Sequence, residues 1–491
     1  MLTIHNFISK KIGLLLLFPI LFIISSCEKG DDKPTLQPSE EIQKNININR
    51  WIQDNMDVLY FWNTNLPANR DSTLYPGDYF ESLLYKDEDR FSYIAEDYIE
   101  LSELLSGVQM EAGYDFTLFL KDANSGDVVG LIDYIKPNSP ASSTDLKRGD
   151  IFFTVNGKQL TVDNYREVLN EIYSPHVLGV YRNNALQPIS LSVTKYEENP
   201  ILLDSIYTMG GKKIAYLIYN FFASDKGDNS YTYLKELNAV FDKFKQANVN
   251  ELILDLRYDG GGDAEIATEL ASMISGRSSS DLFCVDQYNS IVDSELKRTY
   301  GTNYNKTFFE NYLIIRDANG KIINQSIPIN KLSGLSRFYV LTSQKTASAS
   351  ELIINGLKPY MNVIVIGDKT YGKNVGMWLI YEDDPQKQKD NTWGMLPIVF
   401  KIYNSQNKSD YNNGFTPDIE TDEYAEFPLL PLGDVRESLL EAALINIGVQ
   451  AENTLRKGIE KGFDSRPLMS SRDRTPVRKN TIVNRTRLSG F

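Results

Sequence analysis

The stretch Leu252-Ile-Leu-Asp-Leu-Arg-Tyr-Asp-Gly-Gly-Gly262 joins a short, mostly apolar run to three consecutive glycines. Apolar runs of this length are typical of strands that are buried on both faces of a sheet. Similar runs occupy 214–222, 338–342 and 363–366, and between the first of them and Leu252 apolar side chains recur at helical spacing. This alternation of strands and helices predicts an α/β core over residues 198–450.

Three turns that follow these strands contain residues suited to catalysis. The glycine triplet presents bare backbone amides. Thr346-Ala-Ser-Ala-Ser-Glu351 begins a helix that we expect to end near Leu357, and helix amides at such a turn can stabilise an oxyanion. Thr370-Tyr-Gly-Lys373 follows the next apolar strand, 25 residues beyond Ser348. Taken alone, the serine turn also fits a simple helix cap made by Ser348 or Ser350.

The composition limits the choice of catalytic base. The chain has two histidines, His5 and His176, and two cysteines, Cys27 and Cys284, which argues against zinc sites and a disulfide scaffold. We expect no metal and no cofactor, and we assign His176 no catalytic role. A buried, neutral lysine can activate a serine instead. The net charge of −14 argues against nucleic acid as a partner.

The first residues predict export. Lys10 and Lys11 precede an apolar run over 12–24, and Ser25-Ser26-Cys27 follows it. The pattern resembles a lipoprotein signal peptide over residues 1–26, after which the mature chain would start at a lipidated Cys27. A plain signal peptide with a chance cysteine is the alternative. The expected location is the cell envelope, with the lipid holding the protein on a membrane and residues 27–45 serving as a tether.

Residues 46–106 have apolar side chains at helical spacing and predict a small helical N-terminal domain.

Residues 107–197, which we name the β module, switch to short alternating strands. Their succession of Ser139-Pro-Ala141, Leu146-Lys-Arg-Gly-Asp-Ile151 and Val155-Asn-Gly157 resembles a PDZ domain. Such a domain binds an extended chain by adding it to a sheet edge. The loop Gly113-Tyr-Asp-Phe116 differs from the Gly-Leu-Gly-Phe form with which PDZ domains hold a terminal carboxylate. Residues 451–491 are basic and predict an extended C-terminal tail.

The glycine, serine and lysine turns, in this order and downstream of a PDZ-like module, resemble the C-terminal processing (tail-specific) serine peptidases. The resemblance covers roughly residues 89–418. It implies a crotonase/ClpP-like core in which Ser348 is the nucleophile and Lys373 the general base. Gly262 and Ala349 would donate the oxyanion-hole amides.

One departure from the family pattern concerns the lysine. The family usually has a glutamine four residues after the lysine to orient it, whereas this chain has Met377. Either a Ser/Lys dyad works without that amide, or another polar group such as Asn374 orients the lysine, or activity is lost.

The expected function is an exported, lipid-anchored serine endopeptidase that cleaves unstructured polypeptides. The alternative is a catalytically weak or inactive peptide-binding lipoprotein, and a more remote one is an envelope scaffold.

Overall fold

The structure is a computed structural model that describes residues 39–449 except 123–125, 318–320 and 325, together with 463, 466–475 and 481–483. Cys27 and the signal peptide predicted for 1–26 lie outside the described residues. The described α-helices are α1 (Glu40–Leu59), α2 (Pro76–Leu83), α3 (Tyr98–Leu105), α4 (Tyr165–Val168), α5 (Thr232–Gln246), α6 (Ala264–Ser275), α7 (Ser290–Tyr300), α8 (Ala349–Leu357) and α9 (Ser438–Ile447).

A six-stranded sheet forms the centre of the fold. Its strands, in spatial order, are β10 (Ile201–Met209), β11 (Lys212–Tyr219), β12 (Glu251–Asp255), β18 (Arg337–Thr342), β19 (Asn362–Gly367) and β24 (Ile419–Glu420). Only β10 pairs antiparallel with its neighbour; the other four pairings are parallel. Alternate residues of β11 enter two different apolar clusters, one with α5, α6 and α8 and the other with α9. Helices therefore cover both faces, which explains the continuous apolar runs.

Parallel pairing brings the three predicted turns together. The glycine turn follows β12, the serine turn follows β18 and the lysine turn follows β19, and these three strands are adjacent in the sheet. Because the carboxyl ends of parallel strands meet at one edge, all three turns lie at that edge.

Three further sheets, of six, three and two strands, are described in the core. One contains β13 (Gly261–Asp263), β26 (Thr481–Val483), β20 (Val375–Met377), β23 (Ile398–Asn404), β14 (Leu282–Tyr288) and β15 (Lys306–Phe308), in that order. Another contains β1 (Tyr93–Ala95), β22 (Gly394–Leu396) and β21 (Ile380–Tyr381), and β16 (Ile315–Arg316) pairs separately with β17 (Ile322–Asn324).

The helical N-terminal region begins earlier than the sequence predicted. α1 starts at Glu40, so the end of the tether predicted for 27–45 is helical. Ser39 caps this helix by accepting a hydrogen bond from the Ile42 amide, and two glutamates occupy the first turn. The apolar residues of 46–106 share one continuous cluster with the peptidase-like core, so this region has no separate hydrophobic core of its own.

The β module has its own apolar cluster. Its sheet contains β25 (Pro467–Ser470), β3 (Tyr114–Leu120), β4 (Val128–Ile135), β5 (Ile151–Val155), β7 (His176–Arg182) and β8 (Ala185–Leu191), with β6 (Lys158–Gln159) paired to β5. A short pair joins β2 (Val108–Glu111) to β9 (Thr194–Glu197). α4 and the 3₁₀ turn Leu169–Tyr173 lie between β6 and β7 in the chain.

The described part of the predicted C-terminal tail is not simply extended into solvent. Pro467–Ser470 adds to the sheet of the β module, and Thr481–Val483 lies between β13 and β20. Strand addition relies on main-chain hydrogen bonds, so such segments need no apolar periodicity that a sequence pattern would reveal.

Candidate active site

Ser348 occupies a strained turn between β18 and α8. It directly precedes the first residue of α8 and has φ 64° and ψ −112°, in the left-handed half of the map that a residue with a side chain rarely adopts. The side chain is fully buried, and its Oγ has no hydrogen-bond partner in the described part of the chain. Backbone strain and a buried hydroxyl without a partner are features that residues of functional sites often show, and Ser348 is at the same time the N-cap of α8.

The serine turn is fastened to the glycine turn beside it. The carbonyl oxygen of Asp259 accepts hydrogen bonds from the Ala347 amide, at 3.1 Å, and from Ser350 Oγ, at 3.2 Å. Thr346 Oγ1 donates to the Leu256 carbonyl at 2.8 Å. These bonds hold the turn in its strained conformation.

One buried carboxylate joins the serine and lysine turns. Glu351 Oε2 accepts hydrogen bonds from the amides of Ser348, at 2.9 Å, and Lys373, at 2.8 Å. Glu351 Oε1 accepts from the Gly372 amide, at 2.8 Å, and from Thr370 Oγ1, at 2.6 Å. Burial raises the pKa of Glu351, and these four donors oppose that rise. Glu351 stands inside the predicted motif, but no sequence pattern shows that it bridges two turns.

Lys373 has the environment of a neutral amine. Its side chain is fully buried, and burial lowers its pKa to about 7 although Asp89 and Glu351 favour the charged form. The Nζ atom lies 5.0 Å from the centre of the Phe91 ring. At neutral pH a substantial fraction of such a lysine is deprotonated and able to accept a proton.

The loop that carries Phe91 comes from the N-terminal region. Asp89 Oδ1 accepts hydrogen bonds from the Phe91 and Ser92 amides, both at 2.9 Å, and the Tyr60 hydroxyl donates to Asp89 Oδ2. Arg90 donates to the Gly372 carbonyl at 3.1 Å, which ties this loop to the lysine turn. The family resemblance begins at about residue 89, but it did not predict this contact.

Met377 contacts the lysine directly. Lys373 Nζ donates to Met377 Sδ at 3.3 Å, so the thioether acts as a hydrogen-bond acceptor. Asn374, the alternative orienting group, instead donates its side-chain amide to the carbonyl and hydroxyl oxygens of Ser409. The amide nitrogen of Asn374 is therefore used to brace the neighbouring loop.

The glycine turn requires Gly262 at its closest approach. This residue has φ 141°, and a Cβ atom there would lie 2.2 Å from the Phe222 carbonyl oxygen. Asp259 Oδ1 accepts from the Gly261 amide at 2.7 Å and holds the turn. Ala349 is the first residue of α8, where backbone amides have no partner within the helix. Gly262 thus lies on the glycine turn, and Ala349 directly follows Ser348 on the serine turn.

A buried charge cluster supports the glycine turn. Arg257 donates to Asp255 and, through both terminal nitrogens, to Glu437 at 2.6 and 2.9 Å. Arg148 of the β module lies 2.9 Å from Glu423 and also donates to the carbonyl oxygen of Asp133. The neighbouring carboxylates hold the pKa of Arg257 well above its usual range against the effect of burial. The cluster connects the β module to the turn.

His176 lies in the β module, where its ring nitrogens contact the Tyr114 hydroxyl, at 2.9 Å, and the Ser174 carbonyl, at 2.8 Å. Within the described residues, no group of three or more His, Cys, Asp or Glu side chains is arranged to hold a metal ion. Of the helices that the structure describes, none has the length and apolarity needed to cross a membrane.

Comparison with known proteins identifies the family. The model of peptidase family S41 matches residues 213–421, and that of the peptidase S41 N-terminal domain matches residues 47–93. The solved structure of a Bacteroides fragilis protein assigned to the S41 proteases is 27% identical, with a TM-score of 0.64, and the match covers 81% of this chain and 97% of that one.

Two curated relatives are similar at lower identity. The chloroplastic C-terminal processing peptidase of Tetradesmus obliquus is 23% identical over 336 residues, 65% of this chain. A protein of Staphylococcus aureus N315 named as a CtpA-like serine protease is 23% identical over 314 residues, 61% of this chain. The matches span 60% and 54% of the length of these relatives. The predicted α/β peptidase fold and the family resemblance are confirmed: the chain belongs to peptidase family S41.

Proposed function

We propose that this chain is a serine endopeptidase that cleaves unstructured polypeptides, with Ser348 as nucleophile and Lys373 as general base. The observation that carries the proposal is the shared carboxylate of Glu351. It binds the amides of both residues, and so fixes a strained serine with an unpaired hydroxyl relative to a buried lysine whose pKa is about 7.

The chemistry follows from these environments. Neutral Lys373 takes the proton of Ser348 Oγ as this oxygen attacks the carbonyl carbon of a peptide bond. The amides of Gly262, on the glycine turn, and of Ala349, directly after the serine, stabilise the oxyanion. The protonated lysine then gives its proton to the departing amine. Water enters, is activated by the same lysine, and releases the acyl group from Ser348.

Met377 supports a working dyad. The acceptor that the lysine needs is supplied by the Met377 sulfur, which receives a hydrogen bond from Lys373 Nζ. Met377 is the one feature that favours a binding protein without chemistry, and its contact with Lys373 supports the catalytic function instead.

We also propose that the β module binds polypeptide in the manner of a PDZ domain and that Cys27 carries the lipid that anchors the protein in the cell envelope. The first part is supported by a strand that adds to the edge of β3. The second rests on the sequence around Cys27.

Proteolysis of an unfolded protein tests the function. β-Casein should be cleaved by the wild-type chain and left intact by Ser348→Ala and by Lys373→Ala. Ser275→Ala is a matched control, because the Ser275 hydroxyl lies at the end of α6, where it donates to the Ala271 carbonyl and accepts from the Arg277 amide. Equal cleavage by the wild type and Ser348→Ala would refute the assignment of the nucleophile.

A further inference from the structure

The edge of β3 is occupied by a segment of the same chain. β25 pairs antiparallel with β3, with Pro467 opposite Phe119 and Ser470 opposite Thr117. Met469 packs against the apolar cluster of the β module. A strand added to this edge, with one side chain directed into the module's core, has the geometry of a bound peptide.

The residues after β25 contact the beginning of β3, which contains Tyr114, Asp115 and Phe116 of the predicted loop. Ser471 Oγ donates to Asp115 Oδ1 at 2.7 Å and accepts from the Phe116 amide at 3.2 Å. Arg472 is buried, lies 3.4 Å from Asp115 Oδ2 and donates to the Tyr134 hydroxyl at 2.9 Å. Asp115 is one of the residues by which this loop departs from the carboxylate-binding form. An aspartate at this position repels a terminal carboxylate and attracts a cation.

The opposite wall of the groove also contacts the segment. Arg474 donates to Asn170 Oδ1 at 2.6 Å, and its guanidinium lies 5.4 Å from the centre of the Tyr173 ring. Both partners belong to the 3₁₀ turn Leu169–Tyr173. Pro467–Arg474 is therefore held between β3 and this turn, with both sides of the groove in contact.

Six residues beyond Thr475, the same segment enters the candidate active site. β26 runs parallel to β13, with Ile482 opposite Gly262, and Val483 is also paired with Met377 of β20. Without β26, β13 and β20 would be about 10 Å apart, which is twice the spacing of neighbouring strands. We call this one-strand gap the slot. The slot is bounded by β13, which contains Gly262, and by β20, which follows Lys373. In this structure Ser348 and Lys373 are fully buried.

We propose that residues 466–483 are the chain's own substrate: the groove of the β module holds Pro467–Arg474 and thereby delivers Thr481–Val483 into the slot, where Ser348 cuts the segment. The cut is a hydrolysis in which the serine oxygen forms an ester with the carbonyl carbon, the amine leaves with a proton, and one water molecule then releases the new carboxylate. This inference rests on the proposed function.

The arrangement also indicates what the groove recognises. Its occupant is an internal stretch, Met469-Ser-Ser-Arg472, whose arginine pairs with Asp115, and the residues in the slot lie C-terminal to it. The β module thus selects a sequence that precedes the cleavage site and requires no free chain end. Because only a few residues separate the two docked parts, binding of the first raises the local concentration of the second.

Intact-mass measurement of the purified full-length chain tests the proposal. Wild type should convert to a product whose new carboxyl end falls within residues 481–483, and Ser348→Ala should stay uncut. The rate should be first order and unchanged on about hundredfold dilution, since the segment docks in cis. β-Casein in the same tube reports general activity. If casein is cut and the chain stays intact, this inference is overturned and the proposed function stands. If neither casein nor the chain is cut, both this inference and the proposed function are refuted. A self-cleavage rate proportional to concentration overturns docking in cis.

A substitution of Arg472 separates docking of the segment from catalysis. Arg472→Glu should slow self-cleavage about tenfold or more, because it places a carboxylate against Asp115. Arg298→Glu makes the same charge change on the exposed face of α7 and should leave the rate within about twofold. Hydrogen exchange in the Ser348→Ala background supplies a readout without catalysis. Amides of 468–474 should be protected, and Arg472→Glu should release them while β4 and β5 stay protected, which shows that the module still folds. Unprotected amides in the parent would contradict the proposal.

Discussion

Turnover should follow the deprotonation of Lys373. With a pKa of about 7, the neutral fraction of this lysine rises from about a tenth at pH 6 to about nine tenths at pH 8, so kcat/KM should increase about tenfold over that interval and then level off. A solvated lysine, with a pKa of about 10.4, would instead give a rate that keeps climbing beyond pH 9. The position of the plateau therefore reports the burial of the amine.

Replacing Lys373 by arginine tests whether that proton acceptor is required. Arginine keeps the charge and nearly the length, but its guanidinium stays protonated throughout the accessible range. The substitution should lower kcat/KM by about 10⁴-fold or more and abolish the rise between pH 6 and pH 8. The assay is hydrolysis of a short quenched-fluorescence peptide from pH 5.5 to pH 9.5, with His176→Ala as the control that keeps the wild-type profile. An active Lys373→Arg chain beside an inactive His176→Ala chain would refute the mechanism.

Three further substitutions have defined outcomes. Below pH 7 the folded chain bears the full cost of the buried Lys373 ammonium, about 5 kcal/mol. This cost falls as the pH rises from 7 and disappears above about 10.5, where the lysine of the unfolded chain also loses its proton. In thermal denaturation, Lys373→Met should therefore raise Tm strongly at pH 6 and little at pH 10.5. Gly262→Ala forces a Cβ atom against a carbonyl oxygen 2.2 Å away and should lower the free energy of unfolding in urea by about 2 kcal/mol or more. Gly157 also has a positive φ, 75°, but nothing lies within 4 Å of the added Cβ atom, so Gly157→Ala should cost about 1 kcal/mol. Cys27→Ser should move the protein out of the membrane fraction of fractionated cells, and an unchanged membrane fraction would contradict the lipid anchor.

The strand pattern was predictable because burial on both faces leaves an unbroken apolar run. The runs before Gly262, Ser348 and Lys373 each correspond to a parallel strand, and from there the rule for strand ends is enough to bring the three turns together. The start of α1 was also within reach, since Ser39 followed by two glutamates is a typical helix beginning, but the polar composition of the stretch favoured a tether.

Other features depend on contacts that leave no pattern. The bond from the Ser348 amide to Glu351 fits the Ser-x-x-Glu spacing of a capping box, but the bond from the Lys373 amide, 22 residues on, has no sequence signature. The hydrogen bond from Lys373 to Met377 was not predictable either, because the family pattern has a glutamine amide at this position and a methionine there indicates no polar contact. The strand β26 is invisible for the same reason as β25: main-chain pairing places almost no demand on side chains.

The charge cluster around Arg257 should make the β module and the core unfold together. Arg148 reaches it from the β module, and Lys345, on the loop before Ser348, lies 2.6 Å from Asp133 of β4. Pulling the module away would leave these buried charges without partners, at a cost of several kcal/mol for each broken pair. Unfolding of the module alone is thus penalised, and the N-terminal region shares its apolar cluster with the core. Calorimetry should accordingly record a single cooperative transition, in which three sequence regions lose their structure together.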